Sequence, residues 1–276
     1  NATILRGGGD SFHSSRAILS AFQVGLVESG LPKTAVQSVP TRDREAVGHM
    51  LAMTQYIDVV VPRGGTSLVQ RVQNDARVPV FSHLEGINHT YVDAYADLKM
   101  AVQIAVNAKM RRTGICGAME TLLIHRDVAH TYLPLVAEAL RAEGCELRGD
   151  VASCAIVPTL VPANDDDWST EYLDSILSVK VVASMEEALN HIALFGSRHT
   201  EVIVTEEQEN AAYFAAKVDA AVVMHNTSSQ FADGGEFGMG AEIGISTGRL
   251  HARGPVGAEQ LTSFKYIVLG SGQLRS

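Results

Sequence analysis

The sequence predicts an α/β protein whose strands form parallel sheet. Three observations support this prediction. Short apolar runs alternate with segments of helical periodicity along most of the 276 residues, and glycine-rich turns follow two of these runs, at residues 7–9 and 64–65. Polar residues and glycines are concentrated in one long stretch, residues 225–257, which suits loops that form a site. Strands and helices that alternate at this spacing indicate right-handed βαβ crossovers.

The first part of the chain contains four predicted strands. Residues 4–5 form the first, and Ser14 caps the helix that follows the first glycine-rich turn. AVQSVP and residues 57–61 form the next two, each followed by a helix, and VPVFSH forms the fourth. Because the chain starts at Asn1 inside a predicted strand, we expect a further N-terminal segment to precede it.

From about residue 93 the same alternation continues with different residues. DAYADLKMAVQIAVNAKM is a predicted amphipathic helix, and four strands follow it with helices between them: ETLLIH, ILSVKVV, EVIVTE and AAVVMHN. Ser184 is the expected N-cap of one helix, with Glu187 completing a capping box and Gly196 ending the helix. The terminal stretch FKYIVLG is predicted to be a strand, and it has no partner strand close to it in sequence.

Composition narrows the classes of protein to which the chain can belong. Hydrophobic residues make up 46% of the sequence and charged residues 19%, which is typical of a globular enzyme. The net charge of −9 argues against non-specific binding to nucleic acid. Because the chain has no run of about 18 apolar residues, we expect no membrane span and no membrane partner.

The cysteines and histidines give no local metal or disulfide motif. The three cysteines, Cys116, Cys145 and Cys154, are an odd number without CxxC spacing, and the ten histidines show no HExxH or similar spacing. We therefore expect no disulfide framework, no metal site and a reducing, cytoplasmic setting. Cys145 is expected near a helix end and Cys154 in a strand, both with a structural role.

Cys116 lies between Gly114 and Gly117 in the stretch GICGAM and has two opposite interpretations. A cysteine taken at random is more often buried and inert. Here small neighbours would let a substrate carbonyl reach the sulfur, and the basic residues within 109–112 would lower the pKa of the thiol. The residues alone leave both the buried filler and the nucleophile open.

The two glycine-rich turns, LRGGGDS and VPRGGTS, are candidates for binding a phosphate. Glycine lets backbone N–H groups approach an anion at a helix N-terminus, and Arg6 and Arg63 add positive charge. Neither turn has the GxGxxG or Walker A pattern, so a tight turn without a ligand stays open for each. Together, on neighbouring strands of one sheet, they favour a nucleotide.

The stretch HNTSSQFADGGEFGMGAEIGIST is either a long surface loop or a functional one. Long loops without secondary structure in a compact domain are usually functional. In the HARGPVG motif that follows, Arg253 offers a guanidinium group that suits a carboxylate or a phosphate.

Taken together, these motifs resemble the gamma-glutamyl phosphate reductase (glutamate-5-semialdehyde dehydrogenase) family of the aldehyde dehydrogenase superfamily. The matching stretches follow the family's order through nearly the whole chain, among them NATILRGGGDSFHSSRAI, VVVPRGGTSLV, HTYVDAYADLKMAVQIAVNAKMRRTGICGAMETLLIH, DWSTEYLDSILSVKVV, GSRHTEVIVTE and HNTSSQFADGGEFGMGAEIGISTGRLHARGPVG. The resemblance implies an aldehyde-dehydrogenase-like fold of two Rossmann-like α/β domains with a C-terminal oligomerisation strand. It also implies that the N-terminal part of the cofactor domain is absent from this chain.

The resemblance implies three regions and one reaction. Residues 1–83 would be the remainder of an NADP-binding domain, residues 84–245 the catalytic domain, and residues 246–276 a return segment with the oligomerisation strand. The implied reaction is the NADPH-dependent reduction of L-glutamyl 5-phosphate to L-glutamate 5-semialdehyde through a thioester on Cys116, in L-proline biosynthesis. The implied assembly is a homo-oligomer, a dimer or an even multiple, with functional coupling to glutamate 5-kinase.

Further roles follow from the resemblance, residue by residue. Arg6 would lie near the adenosine ribose. Gly9 stands where many NAD-using relatives have a glutamate that binds the ribose hydroxyls, which leaves room for the 2′-phosphate of NADPH. Glu171 would hold the nicotinamide ribose, and Phe237 would line the substrate tunnel. The cofactor-binding candidates are Arg6, Gly7, Gly8, Gly9, Arg63, Gly64, Gly65 and Glu171, and the substrate-binding candidates are Phe237 and Arg253.

The sequence departs from the pattern of its relatives at several positions. The general base of hydrolytic relatives falls near His83, and we do not assign the nearby Glu85 as a base, because a reductase needs none. Gly117 replaces a common asparagine, and Asn88 replaces a common cysteine. Two alternatives stay open: another acyl-reducing or aldehyde-oxidising enzyme of the superfamily, and a non-catalytic relative that binds nucleotides.

Overall fold

The computed structural model describes residues 1–275, within which short strands alternate with helices. The strands are β1 (Thr3–Leu5), β2 (Val36–Ser38), β3 (Asn88–Val92), β4 (Met119–His125), β5 (Glu146–Gly149), β6 (Val161–Pro162), β7 (Ile176–Val182), β8 (Thr200–Val204), β9 (Val222–His225), β10 (Gly244–Ser246) and β11 (Gly254–Val256). The helices are α1 (Phe12–Glu28), α2 (Glu45–Ala52), α3 (Thr66–Asp75), α4 (Leu98–Met110), α5 (Arg126–Ala142), α6 (Val151–Ile156), α7 (Met185–Phe195) and α8 (Gln208–Lys217).

Seven strands form one parallel sheet in the order β6-β5-β7-β4-β3-β8-β9. The predicted parallel α/β fold is therefore confirmed. Strands β3 and β4 are at the centre and are covered on both faces, which explains their nearly complete burial. The amino ends of the neighbouring inner strands β3, β4 and β8 lie side by side.

Helices cover both faces of the sheet and bury its apolar side chains. On one face α4 and α5 contribute Ala105 and Leu133 to a cluster with Leu122 of β4. On the other face α7 and α8 contribute Ile192 and Phe214 to a cluster with strands β3, β4, β7 and β8. Each fully buried side chain of this kind contributes about 1.5–3 kcal/mol to the free energy of unfolding, so the sheet is a rigid support for its loops.

Local signals in the sequence set the ends of the best-predicted helix, α7. The Ser184 hydroxyl accepts the backbone N–H of Glu187 at 3.3 Å, as the capping box requires. The Glu187 carboxylate accepts the N–H of Ala183 at 2.8 Å, one residue before the position expected for the box. Gly196 is the C-cap, as predicted.

Two small sheets lie outside the seven-stranded sheet. In the first part of the chain, β1 and β2 pair in parallel. Near the C-terminus, β10 and β11 form an antiparallel pair. Phe81 and its neighbours Val59 and Val61 pack against Ala252 and Val256. Residues from the first and third predicted regions thus contact each other, and the division at residues 83 and 245 stays a prediction.

Several predicted elements differ from the structure in the first part of the chain. Ser14 is inside α1, because the N–H of Ser15 already bonds to the carbonyl of Ser11 at 2.8 Å. The strands predicted at residues 57–61 and in VPVFSH are reduced to one bridge between Val60 and Val80. Pro62 and Pro79 lack the N–H that would continue this ladder.

Other differences lie in the second part. Cys154 is in helix α6 and not in a strand, with its thiol 3.3 Å from the carbonyl oxygen of Gly149. Cys145 follows α5, as expected. The stretch FKYIVLG, predicted to be a strand, forms none within the described residues. A strand requires hydrogen bonds to a neighbouring strand, and this stretch has no such neighbour among them. Strands β3, β5 and β6 and helix α6 are not predicted by the sequence patterns.

Among the described residues, no helix combines the length and the apolar character that crossing a bilayer requires.

Candidate active site

Cys116 lies on the turn that connects α4 to the central strand β4. The N–H of Ala118 donates to the carbonyl of Ile115 at 2.9 Å and closes this turn. The Cys116 side chain is half-buried, so the sulfur is neither in the apolar core nor fully exposed. This placement favours the nucleophile over the buried filler.

Asn88 fixes the backbone on both sides of the Cys116 turn. Its side-chain amide nitrogen donates to the carbonyl of Cys116 at 2.6 Å and to the carbonyl of Ala118 at 2.8 Å. Its amide oxygen accepts the N–H of Thr200 at 3.1 Å. One fully buried side chain therefore ties together the amino ends of β3, β4 and β8, and the departure from the common cysteine at this position now has a structural role.

The Cys116 turn is also fixed by close backbone packing and by a distant loop. A Cβ atom on Gly86 would lie 2.2 Å from the carbonyl oxygen of Cys116. Any residue larger than glycine would therefore clash with the backbone of the turn. The Ser229 hydroxyl donates to the carbonyl of Gly117 at 2.7 Å. The Gln230 amide donates to the carbonyls of Ala108 and Arg112 at 3.0 and 2.9 Å, at the C-terminal end of α4. The backbone around the sulfur is thus held on several sides.

Two histidines lie next to the Cys116 sulfur. One ligand atom each from His83, Cys116 and His199 lies within 4.8 Å of the other two. His83 Nδ1 is 2.9 Å from the carbonyl oxygen of Ile245, and the two imidazole rings are edge to face with centroids 5.0 Å apart. Burial lowers the pKa of His199 to about 3, with the charge of His83 adding to this, so His199 is neutral at neutral pH.

The charges near Cys116 differ from the sequence-based expectation. Burial, together with the nearby carboxylates of Glu171 and Glu242, raises the pKa of the Cys116 thiol to about 11. Arg63 and the N–H of Cys116 itself act in the opposite direction. In the structure as it stands, the predominant form at neutral pH is the thiol.

The basic residues that precede Cys116 in sequence do not account for its ionisation. Lys109 is fully buried, and its ammonium group is 2.6 Å from a carboxylate oxygen of Glu120. Its charge is therefore paired with a residue of β4. Arg111 and Arg112 are exposed at the end of α4. The expectation that these three residues lower the pKa of the thiol is therefore wrong, because nearness in sequence around a turn does not mean nearness of the charged groups.

Glu171 lies at the same site. Its carboxylate accepts the N–H of Gly86 at 2.8 Å, next to the glycine that packs on the Cys116 turn. Burial and the nearby Glu85 raise the pKa of this carboxyl group. Glu171 therefore lies close enough to Cys116 for its charge to act on the thiol.

The two glycine-rich turns keep open space at helix N-termini. A Cβ atom on Gly9 or Gly65 would meet no atom of the described residues within 4 Å. Gly65 is the N-cap of α3, and the turn at residues 7–9 leads into α1, so both turns present backbone N–H groups to solvent. The two turns do not share a sheet, since β1 pairs with β2 alone among the described residues.

Both arginines of these turns are available to an anion. Arg6 donates to the carbonyl of Arg42 at 3.0 Å, while its buried Nε has no hydrogen-bond partner among the described residues. Arg63 is exposed and near the Cys116 thiol. The orphaned Nε and the open glycines fit a phosphate-bearing nucleotide such as NADP.

The two substrate-binding candidates are differently placed. Phe237 is 44% exposed on the loop that also carries Glu242. Arg253 donates to the carboxylate of Asp219 at 2.9 Å, and Arg249 bonds to the same carboxylate. The pKa of Asp219 is lowered by these two arginines. Arg253 therefore already has an anionic partner within the chain. Two of its guanidinium nitrogens, Nε and Nη2, are buried without a hydrogen-bond partner among residues 1–275.

Comparison with known proteins shows the family to which the chain belongs. Residues 1–146 match the aldehyde dehydrogenase family. The crystal structure of gamma-glutamyl phosphate reductase from Thermotoga maritima is similar over 100% of this chain and 67% of its own, with 46% identity and a TM-score of 0.97. The chain belongs to the aldehyde dehydrogenase family.

Relatives of this chain within this family include gamma-glutamyl phosphate reductases. The gamma-glutamyl phosphate reductase of Parvibaculum lavamentivorans is 60% identical over all 276 residues, which span 65% of that relative. An acetylating aldehyde dehydrogenase from Geobacillus thermoglucosidasius has 16% identity, a TM-score of 0.76, and coverage of 100% of this chain and 70% of its own. The last comparison concerns the fold alone. The aldehyde-dehydrogenase-like fold predicted for the chain is confirmed.

Sequence reasoning missed several residues that form this candidate site. His199, Ser229 and Gln230 come from segments more than 80 residues from Cys116 in sequence. Ser229 and Gln230 lie in the glycine-rich stretch whose length had suggested a function. For His199 no local signal exists, because only the parallel pairing of β3 with β8 brings it beside the sulfur.

Proposed function

We propose that the protein is an NADPH-dependent gamma-glutamyl phosphate reductase that forms L-glutamate 5-semialdehyde from L-glutamyl 5-phosphate in L-proline biosynthesis. The observation that carries this proposal is the half-buried Cys116 on a turn fixed by Asn88, in a chain with 60% identity to a relative of that name. A sulfur that is reachable while its backbone is rigid suits attack on an acyl carbon.

The first step proposed for Cys116 is acyl transfer. A bond forms between Cys116 Sγ and the acyl carbon, and the bond from that carbon to the phosphate oxygen breaks, so inorganic phosphate leaves. His83 is placed to take the thiol proton, since its Nδ1–H donated to the Ile245 carbonyl leaves Nε2 with a lone pair. The N–H of Cys116 is placed to donate to the developing oxyanion.

Other residues serve the second step. NADPH, when bound, supplies the hydride that takes the thioester to the oxidation level of the aldehyde. The residues that would hold this cofactor are Arg6, Arg63, the glycine-rich turns and Glu171, and the charge of Arg63 also acts on the Cys116 thiol. A general base for water is not needed, and Glu85 is given no role. Phe237 and Arg253 are proposed to contact the substrate, Arg253 only if it exchanges its Asp219 partner.

The reaction is best tested in reverse with the purified protein. We expect NADP+-dependent oxidation of glutamate 5-semialdehyde that requires inorganic phosphate, and loss of at least a thousandfold in kcat/KM for Cys116→Ala. The matched control is Cys154→Ala, at a half-buried cysteine in α6 whose thiol lies next to the Gly149 carbonyl, and it is expected to keep full activity. Full activity in Cys116→Ala would exclude the thioester mechanism.

Two further outcomes separate the alternatives. Oxidation of the aldehyde without a need for phosphate would indicate another enzyme of the superfamily. Cofactor binding without turnover, with Cys116 no more reactive toward iodoacetamide than Cys145 and Cys154, would indicate a non-catalytic relative.

We also propose the setting in which this activity operates. The free cysteines suit a reducing cytoplasm. An acyl phosphate is readily hydrolysed, and this favours functional coupling to glutamate 5-kinase, which would supply it. A homo-oligomer is expected from the exposed apolar C-terminal stretch.

A further inference from the structure

His83, Cys116 and His199 together form a group of three strong metal ligands at the candidate active site. They come from three separate parts of the chain: the segment before β3, the turn before β4, and the residue before β8. A ring nitrogen of each histidine and the Cys116 sulfur lie within 4.8 Å of one another. Imidazole nitrogen and thiolate sulfur are the ligands that zinc prefers.

A hydrogen bond fixes one nitrogen of each imidazole ring. His83 Nδ1 lies 2.9 Å from the Ile245 carbonyl oxygen, and His199 Nδ1 lies 2.9 Å from the Thr200 hydroxyl. Nε2 is therefore the free nitrogen of each ring, and His199 Nε2 is buried without a hydrogen-bond partner among the described residues. A ligating histidine normally has its other nitrogen fixed in this way by a second group.

From this geometry we propose that the three residues form an inhibitory site for a thiophilic divalent cation of the Zn²⁺ class, bound through two imidazole nitrogens and the Cys116 sulfur. Binding forms a sulfur–metal bond and releases the thiol proton to solvent. The bound cation occupies the sulfur that the proposed function uses, so the inhibition rests on that function. Metal binding itself does not depend on it.

The distances allow this site after a small adjustment. Zinc bonds of about 2.0–2.3 Å in tetrahedral geometry place neighbouring ligand atoms about 3.3–3.6 Å apart. Since the three ligand atoms lie within 4.8 Å of one another, each pair has to approach by at most about 1.5 Å. Half-burial of Cys116 leaves the fourth position to water. Two carboxylates, Glu171 and Glu242, act on the sulfur from nearby and favour a dication, while Arg63 opposes it.

Cobalt provides a direct readout of binding that needs no activity. We expect Co²⁺ added to the metal-free purified protein to give the near-ultraviolet absorption of a cobalt–thiolate bond. This absorption is absent in Cys116→Ser, and the affinity for Co²⁺ falls at least tenfold in His83→Asn and in His199→Asn. Cys154→Ser, the matched cysteine control, keeps the absorption. Circular dichroism checks that each variant is folded, and His83→Asn covers the case in which the buried His199 variant does not fold.

The outcomes for the metal site and for the reductase are distinguishable. Absorption that persists in Cys116→Ser, or that is unchanged in both histidine variants, overturns the metal site even if the reductase is active. An intact cobalt signature in a protein without reductase activity overturns the proposed function alone. In an active protein, Zn²⁺ is expected to inhibit and to protect Cys116 from iodoacetamide, and a chelator reverses both effects.

Discussion

The reactivity of Cys116 depends on a small set of charges, which makes it testable by single substitutions. Glu171 and Glu242 raise the pKa of the thiol and Arg63 lowers it. Neutralising either carboxylate, as Glu171→Gln or Glu242→Gln, is expected to raise the rate of alkylation by iodoacetamide at pH 7 roughly threefold to tenfold. Arg63→Ala is expected to lower this rate by a similar factor, because it removes a charge that favours the thiolate.

The pH dependence gives a second check on Cys116. Burial puts the pKa of the thiol at about 11, and only the thiolate reacts. The alkylation rate of Cys116 is therefore expected to keep rising through pH 10, about tenfold per pH unit, followed by mass spectrometry at this residue. A plateau of the rate near pH 8 in the purified protein would contradict the burial and the charges described for the site.

Asn88 is the residue whose loss should most directly disturb the Cys116 turn. In Asn88→Asp the carboxylate still accepts the N–H of Thr200 but cannot donate to the carbonyls of Cys116 and Ala118. A buried charge then faces two carbonyl oxygens, and we expect the free energy of unfolding to fall by about 2–4 kcal/mol in urea titrations, with loss of turnover. Asn107→Asp, on the exposed face of α4, serves as the control. An unchanged unfolding free energy in Asn88→Asp would contradict the bridging role.

Individual residues of the site were predictable to different degrees. The glycine setting of Cys116 and the family resemblance singled out this cysteine, and its position on a fixed, half-buried turn agrees with that interpretation. The electrostatic prediction was wrong because Lys109 is paired with Glu120, a residue of the next strand. Ion pairs across elements depend on the side to which each side chain points, and spacing along the chain does not contain this information.

At the scale of elements, the close approach between the segment before β3 and the Cys116 turn is the most sensitive contact. A Cβ atom on Gly86 would lie within 2.2–2.8 Å of three backbone atoms of Cys116. Gly86→Ala is therefore expected to displace the turn, lower the free energy of unfolding by about 1–3 kcal/mol, and reduce reductase turnover. Gly25→Ala in α1 is the matched control, since a Cβ atom there meets nothing within 4 Å in the described part of the chain, and it should retain both properties. Equal behaviour of the two variants would contradict this packing.

The prediction of elements succeeded where apolar periodicity was strong and failed where burial involves polar residues. Strand β3 begins with Asn88, His89 and Thr90, all fully buried, so it carries no apolar signal although it is central in the sheet. Strand β5 is short and contains Arg148, which bonds to Asp167. Such strands are specified by hydrogen bonds to distant residues, and local patterns do not contain those partners.

At the scale of the whole molecule, the site depends on the amino ends of three inner strands of the seven-stranded sheet. Asn88 begins β3, Cys116 lies just before β4, and His199 lies just before β8, so the amino ends of three neighbouring strands converge on the sulfur. Ligands of open α/β sheets usually bind at the carboxyl ends. Here the candidate site lies at the amino ends, where Ser229 and Gln230 bond to the backbone of Gly117 and Ala108.

The C-terminal stretch FKYIVLG gives the prediction that belongs to the whole molecule. Phe264, Tyr266, Val268 and Leu269 are 81–91% exposed, and no described strand pairs with this stretch. An apolar segment with free backbone groups readily pairs with a strand of another subunit, so light scattering of the purified protein is expected to show a dimer or a larger even oligomer. Ile267→Pro removes an N–H in the middle of this segment and should shift the mass toward monomer. Leu274→Ala, a change at an equally exposed residue outside the segment, should leave the mass unchanged. A monomer in the unsubstituted protein, or an oligomer unaffected by Ile267→Pro, would contradict this role of the stretch.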